Sequence, residues 1–300
     1  MRKAGIHYLF LYFYNMESVR TLADIMQQYR LKLAGHYPAD EIRNMFCLVC
    51  EHLLNYSKID IHLKSQEPIS VKNAQHFDQF LLRLLNGEPV QYITGTVDFY
   101  GLTLQVDKRV LIPRPETEEL VEWILRDDHG KSPSCIDLGT GSGCIAIALA
   151  KNLPGATVTA CDISEDALTV ARINAEKNHT AVEFFRHDIL NGQAMLPGKY
   201  QVMVSNPPYV RELEKVFMRN NVLDYEPGIA LFVPDHDPLV YYRNIALLGR
   251  KFLMDGGTLY LEINENFSRE SLKLMQNAGF YGVEIRKDIN GKMRMVKGRK

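Results

Sequence analysis

The run SCIDLGTGSGCIAIALAKNL, residues 134–153, constrains the fold more than any other part of the chain. It reads as an apolar strand, a turn with glycine at 139, 141 and 143, and an apolar helix. Glycines so spaced let the backbone turn tightly and approach a ligand closely, and the helix that follows offers free N–H groups at its start. The sequence on either side keeps the same rhythm. ATVTACD, VEFFRHD, YQVMVSN and GGTLYLEI read as strands, with helical stretches EDALTVARINAEKN and PLVYYRNIALLGRKFL between them. Strands alternating with helices predict an α/β, Rossmann-like sheet, largely parallel, with helices on both faces. The end departs from that rhythm. Asn290-Gly291 stands between two alternating runs, a strong hairpin signal, so the last strand is expected to be antiparallel.

The glycine turn also limits the ligand. A dinucleotide fingerprint is G-x-G-x-x-G, whereas here the pattern is D-x-G-x-G-x-G, with Asp137 ahead of Gly139, Thr140, Gly141, Ser142 and Gly143, and cysteine at 144. Asp162 ends the next strand, 23 residues after Gly139, where an acid can accept both hydroxyls of a ribose. A ribose without a pyrophosphate fits S-adenosylmethionine, whose charged amino-acid end can use the glycine loop and Asp137. Asp188 and Ile189, after the third strand, are expected beside the adenine as acceptor and packing surface.

A second motif, VSNPPYV, ends another apolar strand. Each proline removes an N–H and fixes φ, and the residue before a proline is held extended, so Asn206, Pro207, Pro208 and Tyr209 form a stiff tip. Such a tip can clamp an NH₂ group on an sp² centre. The Asn206 and Pro207 carbonyl oxygens each accept one N–H, and Tyr209 stacks on the plane. That turns the nitrogen lone pair toward the activated methyl, so catalysis is expected by orientation rather than by a general base. The motif by itself does not decide between a nucleobase and an amide.

Bulk properties exclude several classes. With 35 basic and 36 acidic residues the net charge is −1, without the basic excess of a protein held by many phosphate contacts, so no DNA partner is expected. Five scattered cysteines argue against a disulfide framework and for a reducing compartment. Cys47 and Cys50 have CxxC spacing but no second pair, so no metal site is expected. No apolar run approaches the ~20 residues of a membrane span, and no cleavage site follows the aromatic N-terminal stretch. A cytoplasmic, monomeric protein without membrane contact is expected.

Ahead of the sheet, SVRTLADIMQQYRLKL, PADEIRNMFCLVCEHLLNY and SVKNAQHFDQFLLRLLNG read as successive helices. PVQYITGTVDFYGLTLQVD, rich in β-branched and aromatic residues with glycines between, reads as a hairpin. Taken with GEPVQYITGTVDFYGLTLQVDKRVLIPRPETEELVEWIL, YEPGIALF and the terminal RMVKGR, the glycine loop and NPPY resemble the HemK/PrmC family of release-factor glutamine N5-methyltransferases. N6-adenine DNA methyltransferases share the NPPY tip but not the upstream stretch.

The resemblance implies a small all-α recognition domain over residues 16–88, a β-hairpin linker over 89–112 and a seven-stranded class I methyltransferase domain over 113–300. Residues 1–15 are expected to be an extra, disordered segment. The implied cofactor is S-adenosylmethionine, and the implied partner and substrate is a peptide-chain release factor, methylated at the glutamine of its Gly-Gly-Gln motif. Glutamine methylation of a ribosomal protein is the nearest alternative. Some family members carry an aromatic residue where this chain has Ile189, so the resemblance does not carry a stacking contact to the cofactor over to this position.

Overall fold

The computed structural model describes residues 19–191 and 195–300. The expected extra segment, residues 1–15, lies outside the described residues. The chain divides into two compact units, one up to Thr94 and one from Gly95 onward.

In the first unit, five helices form among the described residues: α1 (Leu22–Leu33), α2 (Ala39–Leu54), α3 (Lys58–Leu63), α4 (Val71–Leu85) and α5 (Val90–Thr94). Helix α1 starts at Thr21 and α3 at Ser57, each with a reciprocal capping box to an aspartate three residues on. Tyr29, Phe46 and Phe77 fill the centre. The Tyr29 and Phe46 rings meet edge to face at 5.2 Å, and the Tyr29 hydroxyl donates to the Phe77 carbonyl. Cys50 packs in the same core, where burial pushes its thiol up.

One helix is added here, and one reading changes. The capping box at Ser57 makes a helix of KIDIHL, which periodicity alone does not reveal. The stretch PVQYI, expected as strand, is α5. Pro89 starts a helical turn whose carbonyl takes the Tyr92 and Ile93 amides, and Val90 and Ile93 bury among the helices. That burial overrides the strand preference of β-branched residues.

The second unit opens with the hairpin β1 (Thr96–Phe99) and β2 (Leu102–Gln105), turned by Tyr100 and Gly101, both at positive φ. Helix α6 (Pro115–Arg126) follows, with proline in its first position and Glu116 and Glu118 in its first turn. Then come β3 (Ser134–Leu138), α7 (Cys144–Asn152), β4 (Thr157–Asp162), α8 (Glu165–Lys177), β5 (Val182–Arg186) and β6 (Tyr200–Ser205). A two-residue pair, β7 (Val210–Arg211) with β8 (Phe232–Val233), brackets the short α9 (Asn220–Leu223). The chain ends with α10 (Val240–Phe252), β9 (Leu253–Glu262), α11 (Ser268–Asn277), β10 (Tyr281–Lys287) and β11 (Met293–Arg299).

Among the described residues the main sheet has seven strands in the order β10-β11-β9-β6-β3-β4-β5. Strand β11 pairs antiparallel with both β9 and β10, and the other pairs are parallel, as the Asn290-Gly291 turn predicts. One apolar layer joins the sheet to α6 and α7 through Leu120, Trp123, Ile145 and Leu149. The other joins it to α10 and α11 through Tyr242, Ile245 and Met275. This is the class I methyltransferase fold, an α/β sheet with an antiparallel last strand.

Candidate active site

Chain order runs outward from β3 through β4 to β5, then returns to the other side of β3 with β6. That reversal makes a crevice beyond the carboxyl ends of β3 and β6, where open α/β sheets bind ligands. The strands lie in register, Asp137 beside Val204. The Ser205 hydroxyl donates to the Leu138 carbonyl at 2.6 Å, fastening the two strand ends together. The glycine loop and the NPPY tip therefore leave the sheet side by side.

Gly139, Gly141 and Gly143 all have positive φ. The Gly139 and Thr140 amides donate to the Cys161 carbonyl, which ties the loop to β4. A β-carbon on Gly143 would meet Ile147 Cδ1 at 3.0 Å and the Ala171 backbone at 3.3 Å, so this glycine is required by packing as well as by its φ. Asn174, fully buried on α8, donates to the Ser142 carbonyl and exchanges two hydrogen bonds with the Gln105 backbone, joining loop to hairpin.

Asp137 lies beneath the loop, 1% exposed. Its Oδ2 accepts from the Thr140 hydroxyl at 2.6 Å. Its Oδ1 has no hydrogen-bond partner, and burial outweighs the Thr140 hydroxyl and the Ala146 amide, which favour the charged carboxyl. Burial pushes the carboxyl up to about 7. Asp162, at the end of β4, accepts from the Gly141 amide through Oδ2 and from the Ser164 amide through Oδ1, both at 2.9 Å. Burial raises its pKa also.

These elements surround one cleft. Gly139, Thr140, Gly141 and Ser142 of the loop line it, as do Asp162, Asp188, Ile189, Asn206 and Pro208. Asp137, Gly143, Pro207 and Tyr209 are not in the lining; the first two support the loop from behind. Asp188 fixes its own turn by accepting the Leu190 amide. Tyr209 packs partly into the apolar layer, and its hydroxyl donates to Glu262 at 3.0 Å.

Several residues at the cleft are given no role by the sequence motifs, although most lie in the stretches that carry the resemblance. Thr117, in the first turn of α6, lines the cleft and accepts from Asn206 Nδ2 at 3.1 Å. It donates in turn to Glu262 Oε2 at 2.7 Å. Glu262 is 1% exposed at the end of β9, and its sequence signal is an acid closing the apolar run Leu259-Tyr260-Leu261. Glu226 accepts from the Ile112 amide and from Arg114, which holds the 109–114 loop against the segment carrying Pro227 and Ile229, both of which line the cleft.

Comparison with known proteins bears on this arrangement. Residues 24–95 match the PrmC N-terminal domain, and residues 116–223 match the Methyltransferase small domain. A release factor glutamine methyltransferase of Bacteroides thetaiotaomicron is 43% identical over 89% of this chain and 96% of its own length. One from Flavobacterium psychrophilum is 41% identical over 90% of this chain and 96% of its own length. The crystal structure of a methyltransferase from Pyrococcus furiosus, 16% identical, superposes with a TM-score of 0.51 over 74% of this chain and 98% of that one, a likeness of fold. With near-full-length relatives this similar, the chain belongs to the release factor glutamine methyltransferase family.

Proposed function

We propose that the protein transfers a methyl group from S-adenosylmethionine to N5 of the glutamine in the Gly-Gly-Gln motif of a peptide-chain release factor. The observation that carries this reading is that the glycine loop and the NPPY tip open into one cleft in a chain of this family. The residues present suit the cofactor. A buried carboxylate oxygen on Asp137 lacks a full complement of donors, and the positive-φ glycines bring backbone close to the cleft. The Gly139–Gly143 loop, with Asp137 behind it, would hold the amino-acid end. Asp162 would hold the ribose, and Asp188 with Ile189 the adenine.

S-adenosylmethionine supplies an electrophilic methyl group on a sulfonium. The protein's share is to aim the nucleophile. Asn206 Oδ1 and the Pro207 carbonyl would each accept one N–H of the glutamine amide, leaving its nitrogen lone pair free for the methyl group and stabilising the charge that develops on nitrogen. The N–CH₃ bond would form as the S–CH₃ bond breaks, with one N–H proton released to water. Tyr209 and Pro208 confine the amide plane. Two glycines before the glutamine let a backbone without side chains reach the tip. Residues 16–88 and the hairpin grip the body of the factor, because a loop tip buries too little surface for specific binding. The protein works in the cytoplasm as a monomer.

The test is methyl transfer from labelled cofactor, with release factors, ribosomal protein and DNA offered side by side. Label is expected on the release factor and is lost when its motif glutamine becomes alanine. Label on adenine in DNA, with the release factor untouched, overturns the reading.

A further inference from the structure

We propose that Thr117 and Glu262 fix which way round the Asn206 amide sits, and so make the site select the NH₂ of a primary amide and reject a carboxylate. The inference rests on the reading above that a glutamine side chain enters the cleft. Its starting point is Glu262, whose two oxygens take hydrogens from the Thr117 hydroxyl at 2.7 Å and from the Tyr209 hydroxyl at 3.0 Å. An ionised carboxylate can only accept. Burial holds the Glu262 carboxyl above its ordinary value, against these two hydrogen bonds and the Arg294 guanidinium. The hydrogen-bond geometry, in which both oxygens act as acceptors, carries the proposal. Arg294 is itself held by Asp288 and the Ile263 carbonyl and stands 5.9 Å from the Tyr209 ring centre.

A threonine hydroxyl has one hydrogen, and Glu262 holds it. Toward Asn206, therefore, Thr117 can only accept, and Asn206 must turn its Nδ2 to it, as observed at 3.1 Å. The two ends of an amide are opposed, so Oδ1 faces away from Thr117, and both residues line the cleft. A flipped amide would set Oδ1 against the Thr117 lone pairs at the same separation. The site thus offers an acceptor. A glutamine NH₂ satisfies it, whereas glutamate would bring an acceptor against an acceptor, the kind of mismatch a polar site rejects strongly. Thr117 and Glu262 touch no reacting atom in this scheme; they are positioning residues acting through Asn206.

The direction of these hydrogen bonds is testable in the full-length enzyme. Thr117→Val keeps the shape and removes the hydroxyl. Its kcat on release factor should fall about 10²-fold, the scale of a misaimed group, with cofactor affinity unchanged, and Thr117→Ser should restore it. Asn206→Asp should be poor because two carboxylates would compete for one hydroxyl hydrogen. Adding Glu262→Gln gives Thr117 a donor on that side, frees its hydrogen for Asp at 206, and should raise activity about tenfold over Asn206→Asp alone, a coupling in a double-mutant cycle. A double variant no better than independent effects allow overturns the proposal.

A structural readout separates this from the identity of the substrate. The Asn206 side-chain NH₂ signals, assigned by their absence in Asn206→Asp, should exchange slowly with water in the wild type and in Thr117→Ser, and quickly in Thr117→Val. Equal exchange in all three overturns the orientation whatever the substrate. Slow exchange with no labelling of the release factor leaves the orientation standing and overturns the glutamine reading instead.

Discussion

Replacing Asp137 by asparagine should make the protein more stable, and increasingly so as the pH rises from 4 to 8. The carboxyl is 1% exposed, one of its oxygens is poorly partnered, and burial pushes its pKa up to about 7 from an ordinary 3.8. In the unfolded chain it ionises near pH 4. Below that pH both states are protonated and Asp137 contributes nothing. Between pH 4 and 7 the folded state binds the extra proton, so stability falls with rising pH until the folded carboxyl also ionises. A tenfold change in proton affinity is worth about 1.4 kcal/mol, so the full cost above pH 7 is about 4 kcal/mol. Asparagine is nearly isosteric and can still bond Thr140. The assay is urea unfolding of wild type and variant at half-unit pH intervals. Subtracting the two curves removes groups that do not interact with Asp137, such as Glu262. Asp162, whose charge also helps raise the Asp137 carboxyl, stays coupled to it and belongs to the difference. A difference that grows toward about 4 kcal/mol by pH 8 is expected. A flat difference would refute the account, because it would mean that Asp137 ionises alike in both states.

Other perturbations follow from single contacts. Gly143→Ala should cost about 1–2 kcal/mol for a left-handed alanine and a further ~1–3 kcal/mol for overpacking against Ala171, seen as a lower melting temperature even without cofactor. Asp162→Ala should weaken S-adenosylmethionine by about 10–100-fold, the loss of charge-assisted bonds worth ~1.5–3 kcal/mol, measured by calorimetry; unchanged affinity would place the ribose elsewhere. Asn206→Ala should lower kcat with little change in cofactor affinity, since it aims the other substrate. Glu226→Ala leaves the buried Ile112 amide without its acceptor, at ~1–3 kcal/mol, and should speed hydrogen exchange there.

How much of this could be read from the sequence depends on how far apart the cooperating residues stand. The glycine loop announces itself because its requirement is local. Three residues need positive φ within one turn, and glycine meets that need cheaply, so the pattern survives in one dimension. The NPPY tip is legible for the same reason, since proline acts on its own backbone and its neighbour. Helix α5 shows the limit of local preference, because PVQYI became helical through the burial of Val90 and Ile93, a contact no propensity contains. Glu262, Thr117 and Asn206 go further. Thr117 precedes Asn206 by 89 residues and Glu262 by 145, and only the strand order brings them together. Strands β9 and β6 are parallel neighbours, so the residues beyond Ser205 emerge beside the end of β9, and the first turn of α6 closes over both. A lone acid ending the apolar run LYLE is costly to bury without donors. That cost is the trace such a network leaves in a sequence. It says that hydrogen-bond donors must come from elsewhere in the chain, while the topology alone decides that they are Thr117 and Tyr209.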